Sequence, residues 1–142
     1  MTKIVEIFKA DTTIKQPLPL YLSRVKAGFP SPADDFLDKR LDLNEHLIKH
    51  PSSTFFVKVK GDSMVGAGIH SNDILIVDRS IEPKDKRIVV AILNGEFTVK
   101  RVQKRNNKLF LVSENTDYPP IEITSGMDFE IWGVVLHVIH SV

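Results

Sequence analysis

The turn Gly61-Asp62-Ser63-Met64 lies between a run ending near Lys60 and an apolar run from Asp73 to Asp78. Glycine lets the backbone reverse sharply. Such a turn can hold a serine hydroxyl at a cleft mouth while neighbouring backbone N–H groups point at a developing oxyanion, the arrangement acyl transfer requires. As an isolated tripeptide, Gly-Asp-Ser is more often a surface turn whose Asp and Ser bond their own backbone. A nucleophilic Ser63 therefore needs a partner that can take its proton.

The five histidines, His46, His50, His70, His137 and His140, are the first candidates for that base. None stands in a diagnostic spacing. His46 and His50 form an i,i+4 pair, but Leu47 and Ile48 occupy the place of the glutamate of a metalloprotease helix, so both read as surface or capping residues. His137 and His140 read as strand residues, and no metal or cofactor is expected. A serine served by a lysine base needs no histidine.

Asn94-Gly95 supplies the lysine. This dipeptide between two apolar runs is a strong signal for a two-residue hairpin. Counting outward from it pairs Leu93 with Glu96, Ala91 with Thr98 and Val89 with Lys100. Val102, two residues further along the strand, shares the face of Lys100. An ammonium on such a face is desolvated and shifts toward the neutral amine, a form that accepts a proton. The commoner fate of a strand lysine is to extend its head to solvent from the sheet edge. Lys100, Arg101, Lys104, Arg105 and Lys108 also place five cations within nine residues, which suits either a solvated rim or a nucleic-acid patch.

A third element is Val25-Lys26-Ala27-Gly28-Phe29-Pro30-Ser31-Pro32. Ala27 and Gly28 leave their peptide bond uncrowded, and Pro30 and Pro32 bias their neighbours toward the extended form a protease cleft binds. The same stretch serves equally as a plain linker.

The elements that must carry these residues divide near His50. Before it, apolar residues are scattered and Pro17, Pro19, Pro30 and Pro32 interrupt any long element. Ser31-Pro32-Ala33-Asp34 carries the signature of a short helix start, and a helical turn is expected over Asn44 to Pro51. After Pro51, short runs rich in Val, Ile, Phe and Thr predict an all-β domain with strands over Thr54 to Lys60, Asp73 to Asp78, Arg87 to Leu93, Glu96 to Gln103, Leu109 to Ser113 and Phe129 to His140.

Composition limits the rest. The chain has 142 residues, 19 Lys and Arg against 18 Asp and Glu, and a formal net charge of +1, so it has no global field to coat nucleic acid or anionic lipid. The absence of cysteine excludes disulfides, thiolate metal sites and a cysteine nucleophile together. The longest apolar stretch, Ile131 to Ile139, is about half the roughly 20 residues of a membrane-spanning helix. Lys3, Glu6 and Lys9 break any signal peptide, and a cytoplasmic protein is expected.

Taken together, these blocks resemble the UmuD and LexA group of self-cleaving serine peptidases, and its UmuD branch more than its LexA branch. The resemblance runs through Ala27-Gly28-Phe29-Pro30-Ser31-Pro32-Ala33, Asp42-Leu43-Asn44, His50-Pro51-Ser52, Gly61-Asp62-Ser63-Met64, Asp73-Ile74-Leu75-Ile76-Val77-Asp78 and Gly95-Glu96-Phe97-Thr98-Val99-Lys100. It implies a mostly β fold, with a removable, flexible arm over 1–27, a linker with short helical turns over 28–50 and a β peptidase and dimerisation domain over 51–142. It implies Ser63 as nucleophile, Lys100 as neutral general base, the amides of Asp62 and Ser63 as oxyanion hole and Ala27-Gly28 as the bond cut. The group cleaves itself on a RecA filament carried by single-stranded DNA. Its shortened homodimeric product joins the UmuC polymerase in translesion synthesis during the SOS response. Two departures stand out: Ala27-Gly28 replaces the Cys-Gly usual in UmuD, as it does in LexA, and Lys86-Arg87 stands where the group commonly has a Gly-Asp turn. The alternatives from other classes are a non-catalytic β interaction module, a LexA-like regulatory protein, and a hairpin that reads DNA directly.

Overall fold

The computed structural model describes residues 2–10, 17–21 and 37–142. The Ala27-Gly28 bond, the stretch from Val25 to Pro32 and the helix start at Ser31-Pro32-Ala33-Asp34 lie outside the described residues. The chain divides into two units, Asp11–Pro51 and a larger one made of Met1–Ala10 with Ser52–Val142.

In the smaller unit, β2 (Pro17–Tyr21) pairs antiparallel with β3 (Leu37–Asp42), Leu18 standing opposite Leu41. The short helix α1 (Leu43–Leu47) follows, starting one residue before the expected helical turn. The two strands depart from expectation, because Pro17 and Pro19 argue against a strand. A two-stranded ribbon has only edges, so proline can occupy positions whose N–H would have no ladder partner.

The larger unit is an eight-stranded, wholly antiparallel sheet, curled, in the order β1-β4-β5-β10-β6-β7-β8-β9. Its strands are β1 (Lys3–Lys9), β4 (Thr54–Lys60), β5 (Ile74–Asp78), β6 (Ile88–Leu93), β7 (Glu96–Arg105), β8 (Lys108–Val112), β9 (Ile121–Ile123) and β10 (Phe129–Ile139). The sequence places six of them to within about two residues. It misses β9, which has three residues directly after Pro119-Pro120, and it misses β1. Lys3, Glu6 and Lys9 disguise β1 as solvated arm, yet a strand at a sheet edge tolerates charge on its open side. Its Ile4 packs against the core.

The central strand β6 explains why its sequence is apolar on both faces. Val89 and Ala91 join a cluster with Val102, Leu111 and Val134, while Val90 between them joins a second cluster with Val57, Leu75, Val77 and Val99. Strand β10 is inserted between β5 and β6, and Gly133 lets it lie close: a Cβ there would stand 2.6 Å from Val77 Cγ1. The hairpin joining β6 to β7 has the expected register. Asn94 (φ 49°) and Gly95 (φ 83°) both take left-handed backbone, as a turn of the primed type requires, and Val89 stands opposite Lys100.

The turn before β6 departs from the expected chemistry in an instructive way. Lys86, where the resembling group has glycine, adopts φ 70°. Left-handed backbone strains a residue with a Cβ by about 1–2 kcal/mol. The contacts at Lys86 are made by its backbone: its N–H donates to Val102 O at 2.8 Å and its carbonyl accepts from Arg101 Nη1 at 2.6 Å. Lys86→Gly keeps both bonds and relieves the strain, offset in part by the extra freedom of an unfolded glycine. The expected outcome is a gain of about 0.5–1 kcal/mol in chemical denaturation, against a loss at Gly133→Ala, where the added methyl meets Val77.

Candidate functional site

The sheet brings Ser63 and Lys100 together in its interior. Ser63 is fully buried, Lys100 is 1% exposed, and Nζ of Lys100 donates to Oγ of Ser63 at 3.3 Å. The register explains why this lysine does not reach solvent: Val89 lies opposite it and Val102 two residues along, both fully buried. Burial lowers the Lys100 ammonium from its ordinary 10.5 to about 8, because moving charge into an apolar surround costs more than leaving it in water. The Tyr118 ring, 5.7 Å from Nζ, is the aromatic face on which the cation rests.

The serine is held by its turn and by the loop after β8. Met64, fully buried in the core, anchors the turn from beneath. The Asp62 carbonyl accepts from Asn115 Nδ2 at 3.0 Å, and its carboxylate accepts from the Tyr118 hydroxyl at 2.8 Å. That bond holds the Tyr118 phenol above its usual titration range, since losing the proton would bring two anions together. Gly66 N–H donates to Glu114 O at 2.7 Å, and a Cβ on Gly66 would stand 2.6 Å from that oxygen. The Arg101 guanidinium fixes the same loop through an ion pair with the Glu114 carboxylate. Between turn and loop lies a cleft of about 530 Å³, lined by Val65, Gly66, Ser113, Glu114, Thr116 and Tyr118.

Thr2 joins the site with no signal in the sequence to announce it. Fully buried, it donates its N–H to Ser63 Oγ at 2.7 Å, and its Oγ1 accepts the Ser63 hydroxyl proton at 2.7 Å. An ammonium has no lone pair, so Lys100 donates to Ser63 while the serine proton goes to Thr2. In this arrangement the hydroxyl is parked. In the sequence Asn115 and Tyr118 read only as loop residues, since their contacts with Asp62 cross 53 and 56 residues.

The other candidates fall elsewhere. His46 and His50 are exposed and lie in the smaller unit, His137 is half-buried on β10, and His70 and His140 come together on Asp73. The cationic hairpin is partly compensated: Arg101 pairs with Glu114, Lys108 lies 3.7 Å from Glu122 and the backbone N–H of Lys104 donates to Asp85, while Arg105 covers Phe110. No helix among the described residues is long and apolar enough to cross a membrane.

A curled antiparallel sheet that buries a lysine against a serine hydroxyl defines a class of β domain equipped for serine-based acyl chemistry without histidine. Residues 19–136 match the family described as Peptidase S24-like, and the chain belongs to that family. It is similar to Protein MucA of Salmonella typhimurium, 42% identical over 94% of this chain and 92% of that protein, and to Protein ImpA of Escherichia coli, 43% identical over 86% and 83%. It is also similar to the LexA repressor of Shewanella denitrificans, 34% identical over 84% of this chain but 57% of the repressor. The family and these relatives make the chain a peptidase-family protein of the UmuD-like kind.

The Thr2 contact is testable without any catalytic assay. The chain has no cysteine, so Ser63→Cys introduces a single thiol where Oγ stands. Alkylation by iodoacetamide is expected to be slow in the full chain and at least about tenfold faster when residues 2–9 are deleted, the ratio that loss of one or two hydrogen bonds represents. Equal rates by mass spectrometry would contradict the blocking role of Thr2.

Proposed function

We propose that this chain is a self-cleaving serine endopeptidase of the UmuD type, with Ser63 as nucleophile and Lys100 as general base. The observation that carries the reading is the buried Nζ–Oγ contact at 3.3 Å made by a lysine lowered to about 8. In the neutral form, Lys100 takes the Ser63 proton as Oγ attacks the carbonyl carbon of Ala27. The resulting oxyanion is stabilised by the backbone N–H groups of Asp62 and Ser63. Collapse breaks the Ala27–Gly28 bond, the Lys100 ammonium returns its proton to the leaving Gly28 amine, and water then hydrolyses the Ala27 ester on Ser63.

The cellular role follows from the resemblance. The chain matches Protein MucA over 92% and Protein ImpA over 83% of their lengths, against 57% of a LexA repressor, which supports the UmuD branch over a repressor. On this reading the chain is a cytoplasmic homodimer that cuts itself on a RecA filament bound to single-stranded DNA. The fragment from Gly28 serves as accessory subunit of an error-prone, UmuC-type polymerase in SOS translesion synthesis. A partly compensated hairpin and near-neutral net charge fit a protein that reaches DNA through such partners and binds it weakly or not at all by itself.

Incubation of the purified chain is expected to release a fragment beginning at Gly28, at a rate that climbs with pH up to about 8 and levels off above it, as Lys100 loses its proton. Ser63→Ala and Lys100→Met stop the cleavage, and RecA with nucleotide and single-stranded DNA accelerates it at neutral pH. Unchanged intact mass in the unmodified chain under all these conditions would favour the non-catalytic module instead.

Stability is expected to respond to the same titration. The folded value, about 8, lies below the unfolded 10.5, so the unfolded chain binds more protons between them and stability rises with pH across that window. At neutral pH the full penalty is present. Lys100→Met removes it and is expected to stabilise the fold by up to about 2–3 kcal/mol at pH 7 while abolishing cleavage, as read by urea denaturation.

A further inference from the structure

His70, Asp73 and His140 lie outside the Ser63 site, and nothing in the proposed reaction uses them. We propose that they form a binding site for a late first-row divalent cation of the zinc class. The ligand atoms of the three side chains all lie within 4.8 Å of one another. His140 Nδ1 stands 2.6 Å from Asp73 Oδ1, and His70 Nδ1 stands 3.8 Å from Asp73 Oδ2. An ion about 2.0–2.2 Å from each ligand needs ligands a little over 3 Å apart, so small side-chain rotations centre it. Two imidazoles and one carboxylate suit Zn(II), Co(II) or Ni(II) rather than Mg(II) or Ca(II), which favour all-oxygen shells.

The backbone already holds the three together. Asp73 directly precedes β5 and His140 directly follows β10, and the ladder pairing Ile74 with Ile139 sets them side by side. Asp73 is 2% exposed, its Oδ2 accepts the His70 N–H at 2.7 Å, and its own N–H donates to His70 O at 3.1 Å. The backbone bond fixes the carboxylate toward the imidazoles, a support of the kind ligating carboxylates usually have. The two rings lie 4.9 Å apart, centroid to centroid, and tilted by 40°. Each histidine is about half exposed, which leaves the remaining coordination positions to water. The ion takes the place of the proton between His140 Nδ1 and Asp73, and that proton leaves to solvent. A bound ion joins β10 to the end of the loop that begins with the Ser63 turn. Sequence spacing hides the site because His70 and His140 are brought together only by the sheet register.

Titration of the full chain with Zn(II) by calorimetry, and with Co(II) by visible absorption, reads this directly. One ion per chain is expected, with cobalt ligand-field bands and a raised melting temperature that grows with ion concentration. His70→Gln and His140→Gln, at half-exposed positions, are each expected to weaken binding at least about tenfold. His46→Gln with His50→Gln leaves it unchanged. Absence of stoichiometric binding at millimolar ion overturns the proposal, as does binding lost in the His46 and His50 variant but kept without His70 and His140.

Discussion

A charged lysine costs stability inside a β domain, and Lys100 lies buried against Ser63 Oγ and a tyrosine face. The lowered pKa of its ammonium is how that cost shows itself. The features around it support this arrangement. The Asn94-Gly95 hairpin sets Lys100 opposite Val89, β6 is apolar on both faces so that no solvent reaches that side, and Met64 pins the serine turn into the core.

A second layer decides how the serine is used. Tyr118, Asn115 and the Arg101–Glu114 pair fix the turn through Asp62 and Gly66, while Thr2, which leads into the first strand, takes the serine proton. The first group holds the turn in place, and Thr2 engages the hydroxyl itself. The strand that follows Thr2 lies at the sheet edge, held by β4 on one side, the kind of element that opens before a core strand does.

Much of this is legible in the order of the residues alone. The hairpin register follows from two turn residues, and the strand limits around Ser63 and Lys100 follow from glycine, asparagine and proline punctuation. Local rules suffice where the determinants are local. What escapes them is carried by charge in a permissive place, as in β1, or by contacts across more than fifty residues, as in Asp62 with Tyr118. His70 and His140 belong to the same kind: each is ordinary in its own segment, and only the β5–β10 ladder joins them. Lys86 is legible as a departure, and its left-handed backbone gives the reason glycine suits that position.

If Lys100 is a desolvated, easily neutralised amine, titration of its side chain shows it without reference to cleavage. In Ser63→Ala protein carrying ¹³C at the lysine ε position, one lysine resonance, assigned by its loss in Lys100→Met, is predicted to titrate near 8. That value lies well below the ordinary 10.5 of a lysine in water. A Lys100 signal that titrates at the ordinary 10.5 would contradict the role given to its burial.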